Sequence, residues 1–145
     1  MNDDAIWNKH REELVRYSAM LVGPADAEDL LSTVVVRILT RQSLSDLDDP
    51  RSYLYRSVTN EARTLQRWRS RRIPRTSTPV LPTDVEPEIL DAVLSLPARQ
   101  RAAVYLAYWR DLPMVEIAQL MGCSPGSVKR YLHIARNKLG KVLEP

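Results

Sequence analysis

An all-α fold of two small helical domains joined by a linker is what this sequence predicts. Three observations carry that reading. Apolar side chains recur at three- and four-residue intervals through most of the chain, the spacing of amphipathic helices. No stretch alternates apolar and polar residues as a half-buried strand does, and no internal repeat is found. Residues 73–88 read IPRTSTPVLPTDVEPE, with four prolines, three threonines, one serine and too few apolar groups to build a core. The boundaries that follow are a first domain over 1–72, a linker over 73–87 and a second domain over 88–145.

The elements are justified in chain order. Leu14, Tyr17, Ser18 and Leu21 share one helical face, and Gly23-Pro24 ends that helix. A second helix carries Leu30, Leu31, Val34, Val35, Ile38 and Leu39 at helical spacing. Asp26 is its expected N-cap, with Glu28 and Asp29 in the first turn where negative charge is favoured. Val34-Val35-Val36 is β-prone, but the helical pattern on both sides overrides it. Residues 42–50 are polar and end in Asp49-Pro50, a loop. Arg51 opens a third helix with Tyr53, Leu54, Val58, Ala62 and Leu65 as its apolar positions, running into Arg67-Trp68-Arg69-Ser70-Arg71-Arg72. Beyond the linker, Ile89, Leu90, Val93 and Leu94 form one helix; Pro97 starts another through Tyr108, and two more follow.

Composition narrows the function classes. The longest apolar runs fall far short of the ~18 residues a membrane span needs. The N-terminus Met1-Asn2-Asp3-Asp4 is acidic where a secretory leader would be basic, so a cytoplasmic location is expected. The chain closes on Glu144-Pro145, and no further regulatory domain is expected after it. Cys123 is the single cysteine, and His10 and His133 are far apart in sequence. That excludes an internal disulfide and leaves no metal-ligand cluster, so neither metal nor cofactor is expected. The net charge of +3 hides an alternation: residues 1–50 carry −5, 51–72 carry +6, 73–96 carry −3 and 97–145 carry +5. Two basic blocks of this kind suit phosphate.

The clearest local signature is the segment from Leu112 to Leu139. Pro113 fits a first helical turn, and Val115, Ile117, Ala118, Leu120 and Met121 supply a buried face. Gly122 can take the left-handed conformation that ends that helix, and Cys123 fills the turn. Ser124 then caps a second helix with Pro125 in its first turn, while Val128, Leu132 and Ala135 face inward. This is a helix-turn-helix. Its second helix leaves Ser127, Lys129, Arg130, His133, Arg136 and Lys138 outward, as a helix lying in the major groove requires. Arg130 and Lys129 are assigned to base edges, Arg136 and Lys138 to phosphates. A generic helical hairpin with a solvated basic face is the alternative.

At this point the residues resemble a known family. Val115-Glu116-Ile117-Ala118 through Arg136, preceded by Leu96-Pro97-Ala98-Arg99-Gln100-Arg101, resembles region 4 of the extracytoplasmic-function sigma factors of the sigma-70 family. Asp26-Ala27-Glu28-Asp29-Leu30 is similar to the start of the region 2 helix that docks on the polymerase clamp. Residues 50–62, PRSYLYRSVTNEA, are similar to that family's promoter-melting helix. The resemblance covers nearly the whole chain. It implies a sigma factor that binds core RNA polymerase and promoter DNA and directs promoter-specific initiation, with an anti-sigma factor as a possible partner. By the same resemblance Asp26, Glu28, Asp29, Leu30 and Thr33 contact the polymerase. Arg56, Asn60, Arg63 and Arg67 capture the displaced strand at the minus-ten element, with Tyr53 and Trp68 stacking on its bases. Core packing is the alternative for these two aromatics. The loop 43–49 stands where the family holds a flipped base, and the second domain reads the minus-thirty-five element as duplex.

The chain departs from the family pattern in several places. Ser32-Thr33 stand where Gln-Glu is usual, and Val35 stands where an aromatic is common. In the recognition helix Arg130, Tyr131 and Ile134 replace the usual residues, so the promoter sequence is not transferable from a relative. Two other function classes were weighed. A regulator could use the helix-turn-helix on an operator without polymerase. A nuclease could use the carboxylate pairs Glu28-Asp29 and Asp48-Asp49 with Mg²⁺. The first pair sits at a helix start and the second in a loop, and there is no nucleophile–base constellation or phosphate-binding glycine loop, so no enzyme is expected.

Overall fold

The structure is a computed structural model; it describes residues 2–72 and 87–140, with side chains for 2–68 and 91–140. The expected linker lies outside the described residues, apart from Pro87, which opens a helix. So do the Ile89 and Leu90 side chains. Seven α-helices are described: α1 (Asp3–Val22), α2 (Pro24–Leu39), α3 (Pro50–Arg72), α4 (Pro87–Leu94), α5 (Ala98–Val104), α6 (Met114–Met121) and α7 (Pro125–Leu139). A 3₁₀ turn, Leu44–Asp46, sits between α2 and α3, and α5 widens into a π-helical turn over Tyr105–Trp109. Among the described residues there is no strand, and no helix is long and apolar enough to cross a membrane.

Local chemistry explains the helix ends. Asn2 caps α1 by accepting from Ala5 N at 2.8 Å. Asp26 does not cap α2. Gly23, at φ +93°, holds the cap position, and Pro24 follows at the first helical position, where its missing N–H is no loss. Asp26 lies within the first turn, where its charge suits the helix dipole. Asp49 accepts from Ser52 N at 3.2 Å and so caps α3, which starts at Pro50, one residue before the expected Arg51.

In the first half, α1, α2 and α3 pack as a three-helix bundle around Leu14, Tyr17, Leu21, Leu31, Val34, Leu54 and Val58, all buried. Tyr17 is at the centre, with its ring 4.7 Å from that of Tyr55. The Thr59 hydroxyl donates to Tyr55 O at 2.8 Å, so the 2.6 Å contact between Tyr17 and Thr59 has the phenol as donor. Burial pushes the Tyr17 pKa up, keeping the group a neutral donor. The second half packs α5, α6 and α7 around Leu106, Ile117, Leu120, Val128 and Leu132.

The halves meet directly, and the buried apolar residues form one continuous cluster. Tyr105 of the second half lies 6.1 Å from Tyr17. Arg101, 1% exposed, donates to Leu21 O at 2.8 Å and Met20 O at 3.4 Å, at the end of α1. It also donates to Leu96 O at 3.0 Å and to Leu94 O. Gln66 of α3 donates to Leu96 O at 3.2 Å and accepts from Ala98 N at 2.7 Å. At the other end of the seam, Arg51 bridges Glu13 (2.8 Å) and Glu116 (3.2 Å), and Gln119 donates to Asp49 at 2.8 Å.

Two carboxylates of this region are held below their ordinary values. For Asp49 the cause is the Ser52 hydrogen bond, which outweighs its partial burial. For Glu13, burial works against ionisation, but hydrogen bonds from Tyr55 and Arg51 and the Arg51 charge outweigh it.

Two predictions follow from this packing. Tyr17→Ala should destabilise the chain by about 3–5 kcal/mol in urea unfolding, whereas Tyr17→Phe should lose only about 1 kcal/mol, because Thr59 keeps its bond to Tyr55. Depressed carboxyl values mean stability that is complete above the unfolded values, 3.8 for Asp and 4.5 for Glu, and is lost as pH falls through the lower folded ones. Melting temperature should therefore drop as the pH falls below those values, and the drop should shrink in Asp49→Asn/Glu13→Gln.

Candidate nucleic-acid interface

The helix-turn-helix forms as its sequence requires. Gly122 ends α6 at φ +69°, ψ +39°, a conformation strained for any residue with a Cβ. Space forbids a side chain as well, because a Cβ there would collide with Arg56 Cδ and lie 2.8 Å from Arg56 Cγ. Ser124 Oγ accepts from Ser127 N at 3.1 Å and caps α7, with Pro125 at its first position. Val128, Leu132 and Ala135 are buried. Cys123 is half-buried in the turn, and burial raises its thiol pKa.

That leaves the outer face of α7 to solvent. Lys129, Arg130, His133, Arg136 and Lys138 are all exposed; Ser127 is half-buried, and its hydroxyl is 3.1 Å from Ser124 Oγ. Arg130 lies over the Tyr131 ring at 5.9 Å. His133 is 3.4 Å from Asn137 Nδ2. Arg136 Nε donates to Tyr108 OH at 2.8 Å, and Lys138 donates to Gln100 at 3.2 Å. The two residues assigned to phosphates are thus steadied by neutral partners, which leave their charge uncompensated.

The residues of α3 assigned to strand capture divide between two directions. Tyr53 and Asn60 line a groove of about 250 Å³ between α2 and α3. Its floor is Val34 and Ile38; Arg37 and Arg41 stand on the α2 side, and Ser57, Glu61 and Thr64 on the α3 side. Arg37 donates to Glu61 across it at 2.8 Å. Tyr53 is half-buried: it packs on the core and also forms a groove wall. Arg56 lies over the Tyr53 ring at 5.6 Å and turns toward Gly122. Arg63 neighbours both Arg99 of α5 and Arg67, and their repulsion depresses the Arg63 pKa, Arg99 contributing most. Trp68 is 54% exposed. The sequence reading missed Arg37, Arg41, Ser57, Glu61 and Thr64. Their i, i+4 spacing on facing helices was the available signal.

The residues assigned to polymerase also separate. Glu28, Asp29 and Thr33 are exposed on α2, and Asp26 is half-exposed. Glu28 is within 3.3 Å of Arg11, and Thr33 bonds back to Asp29 O at 2.9 Å. Leu30 is 2% exposed and belongs to the core, so it holds α2 in place and offers no surface to a partner. The same helix exposes Val36 at 61% and Leu39 at 44%, although Leu39 was expected on its apolar face.

The sequence model for "Sigma-70, region 4" matches residues 87–139. The chain is 34% identical to an RNA polymerase sigma-E factor of Streptomyces avermitilis over 92% of its own length and 80% of the relative's. It is 28% identical to ECF RNA polymerase sigma factor SigL of Mycobacterium tuberculosis, over 97% and 88% of the two chains. Its fold superposes on the sigma factor RpoE from Bartonella quintana, solved in complex with the anti-sigma factor NepR. That match has a TM-score of 0.73 at 21% identity and covers 97% of this chain and 96% of the other. The chain belongs to the extracytoplasmic-function RNA polymerase sigma factors.

Proposed function

We propose that this chain binds core RNA polymerase and directs it to a limited set of promoters, as a binding subunit with no active site of its own. The observation that carries the reading is the coexistence, in one chain, of two different surfaces suited to nucleic acid. One is the basic outer face of α7 on a well-formed helix-turn-helix, built for duplex. The other is the polar groove between α2 and α3 with cations and an exposed tryptophan beyond it, suited to unpaired bases. A stand-alone duplex reader has no use for the second.

In this reading residues 1–72 take the polymerase clamp and the minus-ten element, 73–87 join the halves, and 88–145 take the minus-thirty-five element. The outer side of α2 (Asp26, Glu28, Asp29, Thr33, with Val36 and Leu39) meets the polymerase. Tyr53, Arg56, Asn60, Arg63, Arg67 and Trp68 hold the displaced strand. Ser127, Lys129, Arg130 and His133 reach base edges, while Arg136 and Lys138 hold phosphates. The work is placed in the cytoplasm, with the polymerase, and an anti-sigma factor is the proposed negative partner.

Purified chain added to core polymerase should yield transcripts from discrete starts on fragmented genomic template; with no promoter-dependent transcript the reading fails. Arg130→Ala should weaken one or two base positions by about 1–3 kcal/mol, read as a changed promoter preference. Arg136→Ala should lower affinity evenly across sequences and reduce the salt dependence of binding. An unchanged preference in the first would overturn its assignment to base edges.

A further inference from the structure

Tyr108 lies outside the buried cluster with 40% of its surface exposed, although its place in the sequence argues for burial. It follows Arg101 by about two α-helical turns and Val104 by about one, and both of those are buried. The π-helical turn over Tyr105–Trp109 accounts for the difference. A wider turn takes in an extra residue and rotates what it carries off the buried face, and such turns recur at functional sites. Here the Tyr108 hydroxyl comes against α7. It accepts from Arg136 Nε at 2.8 Å, and the Tyr108 ring centre is 5.8 Å from the guanidinium carbon.

We propose that Tyr108 and Arg136 together grip one backbone phosphate of the bound duplex, the tyrosine as a second, uncharged donor. This deepens the reading of Arg136 as a phosphate residue and rests on it. A phenol has one O–H to donate and lone pairs with which to accept. Arg136 Nε occupies the accepting side, so the proton points elsewhere, and no acceptor among the described residues takes it. Arg136 keeps the N–H groups of both Nη atoms, and none of the ion pairs among the described residues engages it. Donors this close can serve the two non-bridging oxygens of a single phosphate, each bond being charge-assisted.

The surroundings fit a duplex backbone. Lys129, His133 and Arg136 recur at the four- and three-residue steps of one exposed helical face. An anion at Arg136 is therefore the backbone that flanks the bases within reach of that face. Gln100 holds Lys138 at 3.2 Å from the start of the same α5, so α5 and its π turn run beside both cations assigned to phosphates. Neither Tyr108 nor Gln100 cancels the cation it holds, as a carboxylate would.

Holoenzyme reconstituted with each full-chain variant tests the pair, on a duplex fragment around a start mapped with the wild-type holoenzyme. Tyr108→Phe keeps the ring and removes only the hydroxyl. It should weaken binding about ten-fold, the worth of a hydrogen bond to a charged group, with sequence preference unchanged. Equal melting temperatures of the two free chains keep a folding loss apart from a binding loss. Because the lost donor is neutral, the salt dependence should stay that of the wild type, whereas Arg136→Ala lowers its slope by about 1. Unchanged affinity in Tyr108→Phe overturns the proposal. So does a slope that falls with it, since Tyr108 would then act only through Arg136. Single methylphosphonates placed in turn along the fragment identify the phosphate. The one whose neutralisation no longer matters in Arg136→Ala should also matter less in Tyr108→Phe. If Arg136 couples to a phosphate and Tyr108 to none or to another, this inference alone fails. If Arg136 couples to none, its assignment to the backbone fails, and the shared grip with it.

Discussion

Arg101 carries a full positive charge at 1% exposure, and it has to be satisfied from within. Removing such a group from water is costly unless every approach is hydrogen-bonded. The structure supplies carbonyls from two places at once: Met20 and Leu21 at the end of α1, and Leu94 and Leu96 in the turn before α5. The last turn of α1 is the negative end of its dipole and has unpaired carbonyls to offer, so the cation and the helix end solve each other's problem. Gly23 leaves the helix directly afterwards, at φ +93°. From this one contact follows the register of α5 against α1, and with it Tyr105 beside Tyr17, Gln66 on the start of α5, and α6 against α3.

That register determines how the two proposed nucleic-acid surfaces stand. The groove between α2 and α3 opens away from the seam, with Arg37 and Glu61 paired across it. The outer face of α7 also points away, since Val128, Leu132 and Ala135 turn toward α5 and α6. At the seam itself the stem of Arg56, an exposed residue, lies against Gly122.

Much of this was legible in the sequence because it depends on short-range rules. Gly122, Ser124 and Pro125 prescribe a left-handed stop, a cap and a first-turn proline, and the helix-turn-helix follows from them. The third helix was readable through Arg72 from its apolar spacing and basic tail. The start of α2 was misplaced at Asp26, because Gly23-Pro24 serves both as the stop of one helix and the start of the next, a double use that propensity does not show. Leu30 was drawn into the polymerase surface by its place in a motif, although its own apolar spacing assigned it to the core. Arg101 could not be read at all. An arginine in a basic block looks like one more solvated cation, and only tertiary packing reveals that its partners are carbonyls 80 residues earlier. The α2–α3 groove was half legible: Asn60 and Tyr53 were chosen, but Arg37 and Glu61 needed the helix pairing to be seen.

Scanning calorimetry of the free chain tests the tie at Arg101 most directly. If that residue joins the halves into one body, the wild-type chain should melt in a single transition whose calorimetric and van't Hoff enthalpies agree. Arg101→Met, which keeps the volume but strands the carbonyls, should separate it into two transitions. One transition at an unchanged temperature in that variant, or two already in the wild type, would contradict the account.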